Sequence, residues 1–135
     1  MRGPIPRIAT LSLGGSLQRI INATRNTWRG LVWAINSEAA LREEIIALAI
    51  AVPLALFITD DGWKRALLIG VVLLVIAIEL LNTAIEKLCD HVTPSQHTDI
   101  GRIKDMGSAA VGVMLVIAGL VWLAAIVQWM GVPDP

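Results

Sequence analysis

The stretch VVLLVIAIELLNTAIEKLCD, residues 71–90, begins as uninterrupted hydrocarbon and then carries Glu79, Asn82, Glu86 and Asp90 along its second half. No other feature limits the chain so tightly. A helix of this length is apolar enough to cross a bilayer, yet residues three, seven and eleven positions apart drift little around an α-helix. The four polar groups therefore share one face. Ionisable groups at such depth cost a few kcal/mol each on insertion scales, about 2.5–3.5 for a central Asp, and they point into a protein interior or a wet cavity.

Composition supports a membrane setting, since 56% of the 135 residues are hydrophobic and only 16% are charged, too apolar for an ordinary soluble domain. A spanning helix needs about 20 mostly apolar residues. Three segments meet that need: 39–59, in which an apolar run from Ile45 borrows length from the preceding residues, 66–89, and 106–130, where only Ser108 and Gln128 are polar. Pro53 lies inside the first and is tolerated in a membrane, where a bend is expected. Ahead of them, in 17–36, Leu17, Ile20, Ile21, Trp28, Leu31, Val32 and Ile35 fall on one helical stripe, opposite Gln18, Arg19, Asn22, Arg25, Asn26 and Arg29. Tryptophan and leucine facing an arginine-bearing side describe a helix lying in the headgroup layer. Residues 1–16 read as a flexible lead-in without the apolar core of a secretory signal, and 131–135 as a tail.

The basic residues set an orientation. Arg2, Arg7, Arg19, Arg25, Arg29 and Arg42 precede the first span and Lys87, Arg102 and Lys104 flank the second connection, whereas the first connection holds only Lys64 and Arg65 and the tail none. The positive-inside tendency puts the N-terminus and the 91–105 connection in the cytoplasm, with TDDGWK and the C-terminus outside.

Helix–helix adhesion, ion or proton transport, and catalysis at the membrane surface all suit the polar stripe by its angles alone. Intramembrane hydrogen bonds contribute only about 1 kcal/mol, a poor reason to bury a carboxylate. Two other stretches favour catalysis. NSEAALREE puts Glu38 at the head of the first span, and GRIKDMGSAA puts Lys104 and Asp105 at the head of the third. Singly, Glu38 suits a positive helix end near Ser37 and Arg42, and Asp105 is explicable as an N-cap. Together they bring acids, an amide and a lysine to one depth. That mixture fits magnesium and nucleotide phosphates better than a proton wire.

Other motifs contribute little. Gly107 and Gly112 have phosphate-loop spacing, but Val113 stands where lysine is required, and these glycines, with Ser108 and Gly119, read as close-packing positions of the third span. His91 and His97 lack a metal-ligand set and read as solvated loop residues. Cys89, the lone cysteine, reads as a small apolar filler.

IELLNTAIEKLCD, followed by GRIKDMGSAAV and preceded by NSEAALREE and RIINATRNTWRGL, resembles the small integral-membrane diacylglycerol kinases of bacteria over about 17–130. The resemblance implies an all-α membrane protein, a homotrimeric bundle in which each chain has one amphipathic surface helix and three transmembrane helices, resident in the bacterial inner membrane. It implies phosphorylation of diacylglycerol to phosphatidic acid by ATP with Mg2+, and membrane lipids but no nucleic acid among the partners. It assigns Glu79 as general base, Asn82 as its polar neighbour, and Glu38 and Glu86 as metal-binding acids. Lys104 and Asp105 are assigned to the nucleotide, with Asp90 and Arg19 also at family positions of the nucleotide site. Ser37 stands where the family commonly has asparagine. The same small fold elsewhere phosphorylates undecaprenol, which leaves a second acceptor open, while a proton-coupled transporter or scaffold is the reading from outside the kinases. Neighbouring chains are expected to share each site, because three helices alone can hardly surround five polar groups.

Overall fold

A computed structural model describes residues 13–93 and 97–131. The described residues form four α-helices and no strand: α1 (Leu13–Ser37), α2 (Ala39–Ile58), α3 (Gly62–Val92) and α4 (Thr98–Trp129). Expectations for 1–12, Pro94 and the tail beyond 131 lie outside the described residues.

Helix α1 is a compact unit of its own, and the second unit starts at Glu38. It begins at Leu13, so the last residues of the expected lead-in are helical. Thr24 and Thr27 return their hydroxyls to the carbonyls of Ile20 and Ala23 at 3.0 Å each, a local bond that lets a hydroxyl sit on a helix whatever surrounds it. Leu17, Ile20, Ile21, Trp28 and Val32 are exposed. An uncovered apolar face of this kind is what a headgroup-layer helix offers to lipid.

In the second unit α3 packs against both α2 and α4, and heptad-like spacing organises all three. On α2 the inward positions are Leu41, Glu44, Leu48, Ala51 and Ala55. On α3 they are Leu68, Val71, Val75, Glu79, Asn82, Glu86 and Cys89, and on α4 Lys104, Gly107, Val111, Met114, Ala118, Val121 and Ala125. Alternating steps of three and four keep one seam facing a partner helix, with side chains of one filling gaps in the other. Leu41 and Leu68 are the largest fully buried side chains, and Val71, Val75 and Ala118 form a core edged by Val72, Met114, Val121 and Trp122. The Trp122 indole donates to the Leu68 carbonyl across the α3–α4 seam at 3.2 Å.

The connection between α2 and α3 is short and fully bonded. Asp61 caps α3 by accepting from the backbone N–H groups of Trp63 (2.8 Å) and Lys64 (3.2 Å). Arg65 reaches back to the Thr59 carbonyl at 2.6 Å, the Leu56 carbonyl at 3.1 Å and the Asp60 carboxylate at 2.8 Å. These bonds satisfy carbonyls that a helix end leaves open. The next helix starts earlier than hydropathy suggests: α4 begins at Thr98 rather than 106, with the His97 ring accepting from the Asp99 N–H at 3.3 Å. Asp105 is therefore not an N-cap, and the expected 91–105 loop is mostly helix. His91 lies in the last turn of α3 and His97 at the head of α4, so neither is a simple loop residue, although both are exposed.

Both α3 and α4 are long and apolar enough to cross a membrane, and their most apolar windows are 28% and 6% buried. So little burial leaves α4 with an open apolar surface along most of its length. Helix α2, the other expected span, does not meet the same test, because Arg42, Glu43 and Glu44 occupy its first turns and shorten its apolar run. Of the expected close-packing glycines only Gly107 meets a neighbour. Gly112 and Gly119 have open space where a side chain would go, so their packing within the chain is not as expected.

Candidate active site

The seam of α3 changes chemistry halfway along. Above Val75 it is hydrocarbon; below it the same inward positions are Glu79, Asn82 and Glu86, with Thr83 buried beside them. The carboxylates stand there because the helix has carried its interior face on into a polar stretch. Asn82 is only 7% exposed, and its Nδ2 donates to Glu86 Oε1 at 3.2 Å. Glu79, half-buried, interacts through its charge with both Glu86 and Glu38, and Glu44 on α2 feels the charge of Glu79. Glu38, Glu44 and Glu86 thus all lie within electrostatic range of Glu79.

Glu38 reaches this cluster because it is the single non-helical residue between α1 and α2. Its backbone is extended, at φ −112° and ψ 125°, and its side chain does not cap α2. Instead Oε1 pairs with Lys87 Nζ at 3.0 Å. A second cation enters from α4, where Lys104 Nζ donates to Asp90 Oδ1 at 2.6 Å and lies within electrostatic range of Glu86. Asp90 is exposed and Cys89 takes the inward position beside it, so the predicted four-residue face ends at Glu86 and Asp90 belongs to its rim. Asp105 is exposed on α4, outside the seam that holds Lys104. Arg19 is exposed on α1.

Two groups absent from the sequence-based site belong to it. Glu44 is half-buried with its Oε2 lacking a hydrogen-bond partner; its signal was its spacing, three residues from Leu41 and four from Leu48 along the inward face of α2. Lys87 carried no such signal, because only folding brings it to Glu38. Asn82 Oδ1 is likewise buried without a partner. Polar atoms in that state cost free energy unless something binds them.

Among the described residues no three His, Cys, Asp or Glu side chains converge as a preformed metal cage. Magnesium does not require one. It accepts one or two carboxylates and takes its other ligands from water and substrate phosphates. Glu38 and Glu86, hard oxygen donors on either side of Glu79, fit that role, and a divalent cation would relieve the repulsion among the acids.

Residues 25–126 match the family model described as prokaryotic diacylglycerol kinase. The chain is 43% identical over 104 residues to the diacylglycerol kinase of Escherichia coli (strain K12), covering 77% of this chain and 85% of that protein. It is 41% identical over 106 residues to the diacylglycerol kinase of Haemophilus influenzae, covering 78% and 90%, and 39% identical over 106 residues to that of Pseudomonas aeruginosa, covering 78% and 86%. The matched segments contain Glu38, Glu44, Glu79, Asn82, Glu86, Asp90, Lys104 and Asp105.

Proposed function

The chain belongs to the prokaryotic diacylglycerol kinase family, and from that membership we propose that it transfers the γ-phosphoryl group of ATP to the free hydroxyl of diacylglycerol, releasing ADP and phosphatidic acid. The observation that carries the chemical reading is the half-buried Glu79 set among Glu38, Glu44 and Glu86, with Asn82 one turn away. A carboxylate at the end of an apolar seam stands where a lipid hydroxyl arrives, which is the position a general base requires.

The lipid hydroxyl gives its proton to a Glu79 carboxylate oxygen as its own oxygen bonds to the γ-phosphorus. The bond from that phosphorus to the β,γ-bridging oxygen breaks, and the electron pair leaves with ADP. Positioning and charge neutralisation do most of the work in phosphoryl transfer. Lys104 meets phosphate oxygens in place of Asp90, and Asp105 joins it at the nucleotide; Asp90 and Arg19 are carried over only as family positions of the nucleotide site. Glu38 and Glu86 would hold magnesium, which would supply charge neutralisation to the phosphates. Asn82 keeps Glu86 in place through its Nδ2.

The apolar lengths of α3 and α4 support residence in the bacterial inner membrane. With α2 as a third span, the basic residues argue for a cytoplasmic N-terminus and site and an external C-terminus. Impermeant thiol labelling of intact cells, with a cysteine replacing Asp61 or Thr98 in a Cys89→Ser background, is expected to label position 61 and spare 98; strong external labelling at 98 would reverse the topology. We also propose a homotrimer with sites shared between chains, supported by the exposure of Asp105 and the open surface of α4. Mixing inactive Glu79→Gln chains with inactive Asp105→Asn chains should regain activity, whereas mixing Glu79→Gln with Glu86→Gln should not. Subunit exchange without any recovery would assign each site to one chain.

The deciding experiment is ADP release by the purified protein with magnesium ATP and either diacylglycerol or undecaprenol. Turnover with diacylglycerol is expected. Turnover with undecaprenol alone would move the chain to the other acceptor, and turnover with neither would sink the kinase reading.

A further inference from the structure

Among the glycines of α3 and α4 only Gly107, beside the site, has a neighbour within reach of an added side chain. A methyl group built there would lie 3.3 Å from Asn82 Cγ and 4.0 Å from Asn82 Cα, and would collide with Asn82 Oδ1. The carboxamide therefore lies flat against the bare backbone of α4, its oxygen on Gly107 and its Nδ2 turned along α3 to Glu86 Oε1 at 3.2 Å. At Gly70, Gly101, Gly112 and Gly119 the same methyl group would meet nothing within 4 Å. Glycine inside a helix is less stable than alanine, so a glycine at the one crowded position has a physical reason that the others lack.

We propose that Gly107 is a positioning residue for phosphoryl transfer: by having no side chain it seats the Asn82 amide, which in turn holds the Glu86 carboxylate beside Glu79. The three groups occupy successive inward turns of α3, so turning the carboxamide outward would break its bond to Glu86 and let the two like-charged carboxylates move apart. An ordinary packing glycine would differ in its consequences. Filling it would lower stability, whereas filling a positioning glycine would misplace one amide in a helix that alanine otherwise favours.

The kinetic part of this inference rests on the lipid-kinase reading; the seating of the amide does not. Full-length protein in detergent micelles would be compared as wild type, Gly107→Ala and Gly101→Ala. The readouts are kcat and KM, the thermal midpoint, and the 15N side-chain amide resonance of Asn82, assigned by its loss in Asn82→Ala. Gly107→Ala is expected to lower kcat on the order of 10- to 100-fold, the scale set by misplacing a group by about an ångström. Its KM values and thermal midpoint should stay close to wild type, and its Asn82 resonance should move. Gly101→Ala should alter none of these. Full kcat in Gly107→Ala, or a loss of kcat with the Asn82 resonance unmoved, would overturn the proposal. If Gly107→Ala alone does not fold, the double variant with Asn82→Ala decides: folding restored there supports the seating, because the shortened side chain makes room for the methyl group, and failure of both overturns it. Should the wild-type chain phosphorylate neither lipid, the kinase reading falls while the resonance still reports whether Gly107 seats Asn82.

Discussion

The two ends of the α2–α4 bundle both carry clustered polar groups and treat them in opposite ways. At the α2–α3 turn, Asp61 accepts two backbone bonds, Arg65 makes three and Lys64 donates to Gln128 at 2.7 Å. Opposite charges meet, and helix ends are closed. At the far end, Glu79 faces Glu38, Glu44 and Glu86, while Glu44 Oε2 and Asn82 Oδ1 are buried without partners. The first arrangement is closed by its own bonds; the second leaves buried acceptors open, which on the proposed function cations and phosphates would engage. Satisfaction of hydrogen bonds separates a structural cluster from a working one better than the mere presence of charge does.

The largest test of that contrast is Glu79→Gln. Loss of a general base costs about 10²–10⁴-fold in turnover, and nucleotide binding measured by calorimetry should persist. Asp61→Asn at the other end should leave turnover near wild type, and a comparable loss there would erase the distinction. Glu86→Gln comes next. Removing one of two proposed metal carboxylates should raise the magnesium concentration for half-maximal activity about 10-fold or more, the lower end of what supporting groups of a metal site contribute. An unchanged magnesium titration would take Glu86 out of that role.

Smaller effects sharpen the comparison. Asp61→Ala removes a helix cap and should lower unfolding stability by about 1 kcal/mol, with no change in the magnesium titration; the reverse pattern would mean the ends are coupled. Lys87→Ala should act in the opposite sense to Glu86→Gln, shifting the magnesium midpoint to lower concentration by only a few-fold, because a half-exposed ion pair with Glu38 is weak. A shift upward would show that Lys87 supports the site instead of competing for Glu38.

Much of this was legible beforehand because a helix repeats. The shared face of Glu79, Asn82 and Glu86 follows from spacing alone, and so does the apolar stripe of α1. Three things were not. Hydropathy marks where a helix meets lipid and says nothing about where its hydrogen bonds begin, so it places the start of α4 at 106 and leaves a cap as one explanation of Asp105. The seam of α3 steps from Glu86 to Cys89, not Asp90, because the interval of three keeps to the side that faces the partner helices, and spacing within one helix does not say which of the two intervals the packing takes. Glu44 was hidden in REE, where three charges in a row look like solvated helix start. The pairing of Lys87 with Glu38, and of Asn82 with Gly107, depends on how separate helices meet, which no periodicity within one helix contains.

Between the two ends lies the indole of Trp122 on the Leu68 carbonyl. Interdigitated side chains resist sliding and rolling of the two helices, but dispersion has no direction of its own. This directional bond works as a key at the seam, alongside the bonds of Lys64 to Gln128 and Lys104 to Asp90. At 1.5 Å per residue Trp122 stands about 22 Å along α4 from Gly107. A roll of α4 at the key would carry Gly107 and Lys104 away from α3 together. The apolar middle of the molecule thereby sets the angular alignment of a site that it never touches.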